Sequence, residues 1–203
     1  MTRLAAALAA LACAALLTAG AMAAAPGGGA PARAAPPAAD EFDGIVDLFD
    51  ADYLRQPINV ARLPLHLAVT VVHGRGEHVL YTFEDPNCGY CRELTRRLAS
   101  IGNVTVHTYA VALLGDDSRS KADRVWCAAD RAAAWVRMMN REELTPARAG
   151  CNAPLGETMK LAEILGIDFT PTVFFADGTR MVGIKPRAEI ERRLRAAAIG
   201  RAQ

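Results

Sequence analysis

Lysine is almost missing from this sequence. Only Lys121, Lys160 and Lys185 stand among 23 basic residues, and 22 acidic ones bring the net charge to +1. The arginines form no stripe; their one dense run, Arg187 to Arg195, alternates with apolar residues at helical spacing and reads as a solvated helix face. A chain so balanced lacks the electrostatic footprint of a polyanion binder, and no nucleic-acid partner is expected. Histidine is scarce too. His66, His73, His78 and His107 have no ligand spacing with one another or with the cysteines, so no metal or cofactor site is nominated. No internal repeat is visible. The apolar run from Leu4 to Leu17 is short and alanine-rich for a membrane span, which needs about 20 apolar residues. Against these absences, 52% of the 203 residues are hydrophobic, ample for the core of one domain with additions.

The same short run points to a compartment. It follows Met1-Thr2-Arg3 and gives way to small residues ending Ala21-Met22-Ala23, the make-up of an export signal over residues 1–23. Cleavage is expected after Ala23, because a cut after Ala25 would set Pro26 beside the scissile bond. Five cysteines are present, and Cys13 falls in the signal. Cys88, Cys91, Cys127 and Cys151 remain, an even number in an exported product, where disulfides persist.

Taken in order, residues 24–40 are an Ala/Pro/Gly spacer with one arginine, a composition that builds no core. Over residues 41–60, Phe42, Ile45, Val46, Phe49 and Tyr53 recur at helical spacing, with acidic residues crowding the front end. This short amphipathic helix is expected to pack on its own domain, the alternative being a partner or dimer contact. The main domain is expected over 61–203, with strands at Leu67–Val72, His78–Phe83 and Val104–Val111. A helical insertion should occupy about 116–165: one helix capped by Ser118, a second from Asp130 to Asn140, a loop carrying Cys151, and a third from Glu157 stopped by Gly166. Phe169 to Phe175 then reads as a strand, joined through the hairpin signal Asp177-Gly178 to Thr179–Ile184, and a helix from Pro186 to about Ala198 closes the chain. The fold class is α/β, a mixed sheet with flanking helices.

The chemistry centres on Cys88-Gly89-Tyr90-Cys91. This C-x-x-C follows the apolar run Val79 to Phe83 and opens a helix whose Leu94, Leu98 and Ile101 share a face. Strand, short loop and two cysteines at a helix start form the context of a redox motif. The unpaired N–H groups and dipole of a helix N-terminus stabilise a thiolate, the attacking species. Cys88 is therefore the expected nucleophile and Cys91 the resolving thiol, one turn deeper. A rival reading joins Cys88, Cys91, Cys127 and Cys151 around structural zinc, but a zinc ribbon wants two C-x-x-C pairs, and here the other two cysteines are single. Cys127 and Cys151 are either a second disulfide, favoured by the compartment, or two buried thiols. Thr170-Pro171, opening a strand, is compatible with a cis turn, and the residues alone leave the isomer open.

Together these stretches carry a resemblance. Thr82-Phe83-Glu84-Asp85-Pro86-Asn87-Cys88-Gly89-Tyr90-Cys91, Val125-Trp126-Cys127-Ala128-Ala129-Asp130, Thr170-Pro171-Thr172 and Gly183-Ile184-Lys185-Pro186 look like the catalytic domain of the DsbC/DsbG thiol:disulfide interchange family, over roughly Leu67 to Ala198. The resemblance implies a thioredoxin fold with an inserted helical subdomain. It also implies a cis Thr170-Pro171 bond facing the Cys88–Cys91 pair, so that Gly89, Tyr90, Thr170 and Pro171 line the substrate groove, and a structural Cys127–Cys151 disulfide. Family members are periplasmic, act on exported proteins that carry disulfides or thiols, and are kept reduced by the membrane reductase DsbD. Their N-terminal dimerisation domain is about half the catalytic domain's size, more than residues 24–60 can supply as a core. A short form, monomeric or weakly dimeric, is the expectation here, with a disulfide isomerase or oxidoreductase activity. Two alternatives stand beside it: an oxidase or reductase dedicated to a secretion or conjugation apparatus, and a module that holds clients with its thiols incidental.

Overall fold

The computed structural model of the chain describes residues 56–141 and 147–200. The export signal, the spacer and the amphipathic stretch as far as residue 55 lie outside the described residues. Among the described residues, five strands form one sheet: β1 (Val69–His73), β2 (His78–Glu84), β3 (Val104–Ala110), β4 (Thr172–Phe175) and β5 (Arg180–Val182), in the order β1-β3-β2-β4-β5. Only β2 and β3 run parallel; the other three pairings are antiparallel. A parallel pair needs a crossover, and α1 (Gly89–Ile101) supplies it. Between β3 and β4 lie α2 (Asp116–Trp126), α3 (Arg131–Arg141) and α4 (Leu155–Ile164), and α5 (Arg187–Gly200) closes the fold.

Strand alternation sorts side chains onto two faces. Leu80, Val104, Val106, Val173 and Phe175 pack against Leu94 and Leu98 of α1 and against Ile190 and Leu194 of α5. Val69 and Val71 on the same face meet Trp135 and Met138 of α3, with both reactive cysteines in that cluster. The opposite face carries Phe83, Tyr109 and Phe174 against Leu161 of α4 and Leu165, which caps it. Along the α1 side of β2, the side chains change from apolar Leu80 to Thr82 and then Glu84, all buried. The sheet is thus greasy in the middle and polar at the end where α1 begins.

The elements match the sequence reading in kind and order, and four of the differences carry a physical reason. Leu67 ends a 3-10 turn and drops into the core, so β1 starts at Val69. β4 starts at Thr172, since Phe169 to Pro171 turn away from the sheet before it pairs. The helix expected to be capped by Ser118 starts earlier, after Gly115, with no side-chain cap; Asp116 and Asp117 occupy its first turn, where acidic groups suit the dipole. Ser118 lies inside α2, its hydroxyl donating to Asp85 at 2.6 Å, because a buried carboxylate needs donors more than an exposed helix end does. Finally, the core reaches back to Ile58, three residues ahead of the expected boundary at 61. The Ile58 N–H donates to the carbonyl of Gly178 at 3.1 Å, in the β4–β5 turn.

That close approach needs glycine. Gly178 has φ +81°, and a Cβ there would strike the backbone of Ile58. Gly178→Ala is expected to cost more than about 1 kcal/mol, read as a lower urea midpoint at unchanged slope. An unchanged midpoint would mean that the segment around Ile58 is not part of the cooperative unit.

Candidate active site

β2 ends at Glu84, and Asp85-Pro86-Asn87 turns the chain into α1, whose N-cap is Cys88. The N-cap position is normally held by an oxygen-bearing side chain that accepts an orphan N–H of the first turn. Here a sulfur takes that place: the Cys91 N–H donates to Cys88 Sγ at 3.3 Å. Two backbone bonds flank the residue, the Cys88 N–H on the Asp85 carbonyl at 3.0 Å and the Arg92 N–H on the Cys88 carbonyl at 3.2 Å. Cys88 is 6% exposed and Cys91 is fully enclosed; both are free thiols.

The two sulfurs differ sharply in acidity. Cys88 is brought down to about 5, first by the Cys91 thiol donating to it, with help from Thr170 and the N–H groups of Cys91 and Tyr90, against opposition from burial. Cys91 moves strongly the other way, chiefly because burial penalises its anion and also because it holds its proton toward Cys88, with the charges of Glu84 and Cys88 adding to this. At neutral pH Cys88 is a thiolate and Cys91 a thiol. The pair therefore holds one sulfur ready to attack and another in reserve.

The remaining residues singled out from sequence assemble around Cys88. The Thr170–Pro171 bond is cis, and Cys88 Sγ sits 3.4 Å from the Thr170 carbonyl, to which it donates only in its protonated form. Gly89 and Tyr90 open α1 at the surface. Tyr90, 67% exposed, and Phe169, 71% exposed, give the site an apolar rim on both sides. Cys127 and Cys151 are not part of this group. They are joined to each other, Cα to Cα 5.6 Å, at the end of α2, which removes the reading in which all four cysteines share a zinc ion.

Two features were not singled out from sequence. Glu84, taken as loop beyond a strand ending at Phe83, is the last residue of β2 and is 1% exposed. Its Oε1 accepts the Thr82 hydroxyl at 2.7 Å, while Oε2 has no partner among the described residues. Burial, together with the Cys88 charge, raises its pKa to about 7, against the pull of Thr82, Thr95 and Thr108. The signal was present: one more step of the Leu80–Thr82 alternation puts Glu84 on the cysteine side of the sheet. The second feature is the set of side chains around Asp85. Its carboxylate accepts the Asn87 N–H at 2.8 Å, the Leu114 N–H at 2.9 Å and the Ser118 hydroxyl. These partners are up to 33 positions away, and local pattern does not reveal them.

Fold and site define a dithiol protein of the α/β class, with one reactive and one sealed sulfur at the start of a helix. The family model for a thioredoxin-like domain matches residues 65–198, and the chain belongs to that family. It is 44% identical over 132 residues to a Bordetella pertussis protein named probable thiol:disulfide interchange protein DsbC, an overlap covering 65% of this chain and 47% of the relative. The thiol:disulfide interchange protein DsbC of Escherichia coli K12 is 30% identical over 119 residues, 57% of this chain and 50% of that one. The chain thus spans about half the length of the curated relatives it matches. Among solved structures, a disulfide interchange protein from Neisseria gonorrhoeae is similar with a TM-score of 0.63 at 30% identity, covering 67% of this chain and 99% of that one.

Glu84 gives a pH signature. Between 4.5, the ordinary carboxyl value, and about 7, the folded protein holds a proton that the unfolded chain has released. Wild-type stability should therefore fall across that window by about 3 kcal/mol relative to Glu84→Gln, and the gap should stay constant at higher pH. Urea unfolding of both reduced proteins at pH 4.5, 6 and 8 measures this; parallel pH profiles would mean that the carboxyl titrates normally.

Proposed function

We propose that this chain is a periplasmic thiol:disulfide oxidoreductase and isomerase of the DsbC kind, acting on disulfides in exported proteins. The observation that carries the reading is the division of labour between an acidic Cys88 at the N-cap of α1 and a sealed Cys91 beneath it. The names of the Bordetella, Escherichia and Neisseria relatives support it. Export is inferred from the charged start, apolar run and small-residue end of residues 1–23.

In this reading the Cys88 thiolate attacks one sulfur of a client disulfide. A mixed disulfide forms, and the other client sulfur leaves as a thiolate. Resolution follows one of two routes. A second client thiolate can attack the mixed disulfide, which releases Cys88 unchanged and leaves the client's disulfides rearranged. Alternatively, Cys91 loses its proton and attacks Cys88, releasing the client sulfur and leaving a Cys88–Cys91 disulfide. By the second route the client gains two electrons and the protein loses two. Glu84, poised near neutrality on the cysteine side of the sheet, is the group we assign to take the Cys91 proton. Gly89, Tyr90, Thr170 and Pro171 form the client-facing surface, and the Cys127–Cys151 bond staples the insertion. The reductant that restores the dithiol is proposed to be a membrane thiol reductase of DsbD type. A monomer or weak dimer is proposed, since among the described residues the exposed apolar side chains away from the site (Leu65, Val72, Val182) sit on separate elements.

Reduced wild-type protein should reactivate scrambled ribonuclease. Cys88→Ala should lose at least about 100-fold of that activity, whereas Cys91→Ala should accumulate a trappable mixed disulfide through Cys88. If oxidised protein introduces disulfides into reduced ribonuclease while reduced protein fails to reshuffle scrambled enzyme, the activity is that of an oxidase. Undiminished rescue of a disulfide-folding defect by the Cys88→Ala, Cys91→Ala double variant would instead assign a client-holding role.

A further inference from the structure

Cys88 is presented by a turn whose own backbone holds it only in part. Pro86, at its centre, has no N–H to contribute. Side chains do the rest: the Arg92 guanidinium of α1 donates to the Pro86 carbonyl at 3.4 Å, and α2 supplies the others. Asp85 is fully enclosed, and its carboxylate binds three donors from three places: its own turn, the loop after β3, and Ser118 of α2. The backbone of the same residue touches both sulfurs' surroundings. Its carbonyl holds the Cys88 N–H at 3.0 Å, and its N–H is directed to the Cys91 sulfur. Asn87, the covalent neighbour of Cys88, is gripped as firmly. Its amide nitrogen donates to Asp117 at 2.8 Å and to Ser118 Oγ at 2.9 Å, and its oxygen accepts from the Lys121 ammonium at 2.6 Å. Lys121 closes the ring with an ion pair to Asp117 at 2.8 Å.

We propose that Ser118, with Asn87 and Lys121, positions the reactive thiol: the first turns of α2 clamp the Asp85–Asn87 turn and so fix Cys88 over the start of α1. This inference rests on the reading of Cys88 as the nucleophile and adds residues outside the C-x-x-C and proline elements. The physical reason is the short range of what stabilises the thiolate. The Cys91 N–H reaches the sulfur at 3.3 Å, and hydrogen bonds of this kind weaken steeply with distance and angle. A turn free to drift loses them.

The charges around Cys88 make the test clean. Glu84 faces it from β2, Asp85 from the turn and Cys91 from α1, the Arg92 guanidinium of α1 reaches the Pro86 carbonyl, and Asp117 and Lys121 approach its neighbour Asn87 from α2. Ser118→Ala changes none of these formal charges. A shift in Cys88 titration in that variant reports position rather than lost charge. A clamp that only steadies the insertion would lower the melting temperature and leave the titration alone.

The experiment follows Cys88 alkylation by iodoacetamide against pH in the reduced mature protein, located by peptide mass, with the Cys88–Cys91 potential measured against glutathione. Wild type should show a midpoint near 5. Ser118→Ala and Asn87→Ala should each move it up by about half a pH unit or more and make the potential more negative, because the thiolate of the reduced form has lost donors. Ser118→Thr, which restores a hydroxyl, should return toward wild type. Midpoints within about 0.2 unit of wild type in both alanine variants, with lowered melting temperatures, would overturn the proposal. Should Ser118→Ala fail to fold, Asn87→Ala on the partly exposed turn carries the comparison alone. Alkylation needs no client, so a wild type unable to exchange disulfides would defeat the proposed function while leaving this comparison intact.

Discussion

A sulfur anion at the edge of a packed core survives only where donors are already in place, and the start of α1 provides them. The rest of the site follows from how crowded that place is. Three groups that can carry negative charge, Glu84, Asp85 and Cys88, fall within five consecutive residues, each one tenth exposed or less. Asp85 is satisfied by three donors and Cys88 by the first turn of α1 and the Cys91 thiol. Glu84 is the one left short, with a bare oxygen and a pKa pushed toward neutrality. In the proposed exchange, this carboxyl thus sits beside the sulfur that would give up a proton for the pair to close. A group titrating near the working pH can accept that proton and release it afterwards with little cost in either direction.

The sheet accounts for how such a polar cluster coexists with a dense core. On the α1 face, β2 reads Leu80, Thr82, Glu84 and β3 reads Val104, Val106, Thr108, so both strands change character at the same level. The threonine hydroxyls meet across the strands, Thr82 donating to Glu84 at 2.7 Å and accepting from Thr108 at 3.0 Å. Below them, leucine, valine and phenylalanine side chains exclude water and supply the hydrophobic stabilisation. Above them, the helix start and the Thr170 side chain meet the thiolate. The parallel β2–β3 pair matters here, because its crossover is α1 itself.

What could be read from sequence divides along the range of the interaction. Cys88 and Cys91 were legible because a helix start and two cysteines are neighbours in the chain. The β4–β5 turn was legible from Asp177-Gly178, whose turn closes with the Gly178 N–H on the Phe175 carbonyl at 2.9 Å. Ser118 misled because a serine after Gly115-Asp116-Asp117 looks like a cap, and only the enclosed Asp85 carboxylate, far away in sequence, explains why its hydroxyl is used elsewhere. The late start of β4 has a similar origin: a β-prone run begins at Phe169, but Thr170 is held against Cys88 before pairing can begin. Glu84 was hidden by one residue of strand length, and its shifted acidity comes from burial, which threonines of β2, α1 and β3 offset only in part.

The insertion looks at first like an accessory, yet α2 is poorly equipped to hold itself in place. It has 11 residues, and only Ser118, Ala122 and Val125 are buried. A helix of that length is marginal in water, and so narrow an apolar stripe adds little packing. Both ends are therefore fastened by other means. At the far end, Cys127 caps the helix and is bonded to Cys151, a loop closure worth about 3 to 4 kcal/mol in the chain-entropy model. At the near end, Ser118, Asp117 and Lys121 are fastened to the turn before Cys88. These near-end bonds tie α2 to the part of the molecule whose geometry sets thiol acidity, so the helix and the turn stabilise one another. A helix with a wide greasy face would have docked anywhere along the sheet; this one, held by directional bonds, is fixed where the reactive sulfur needs it.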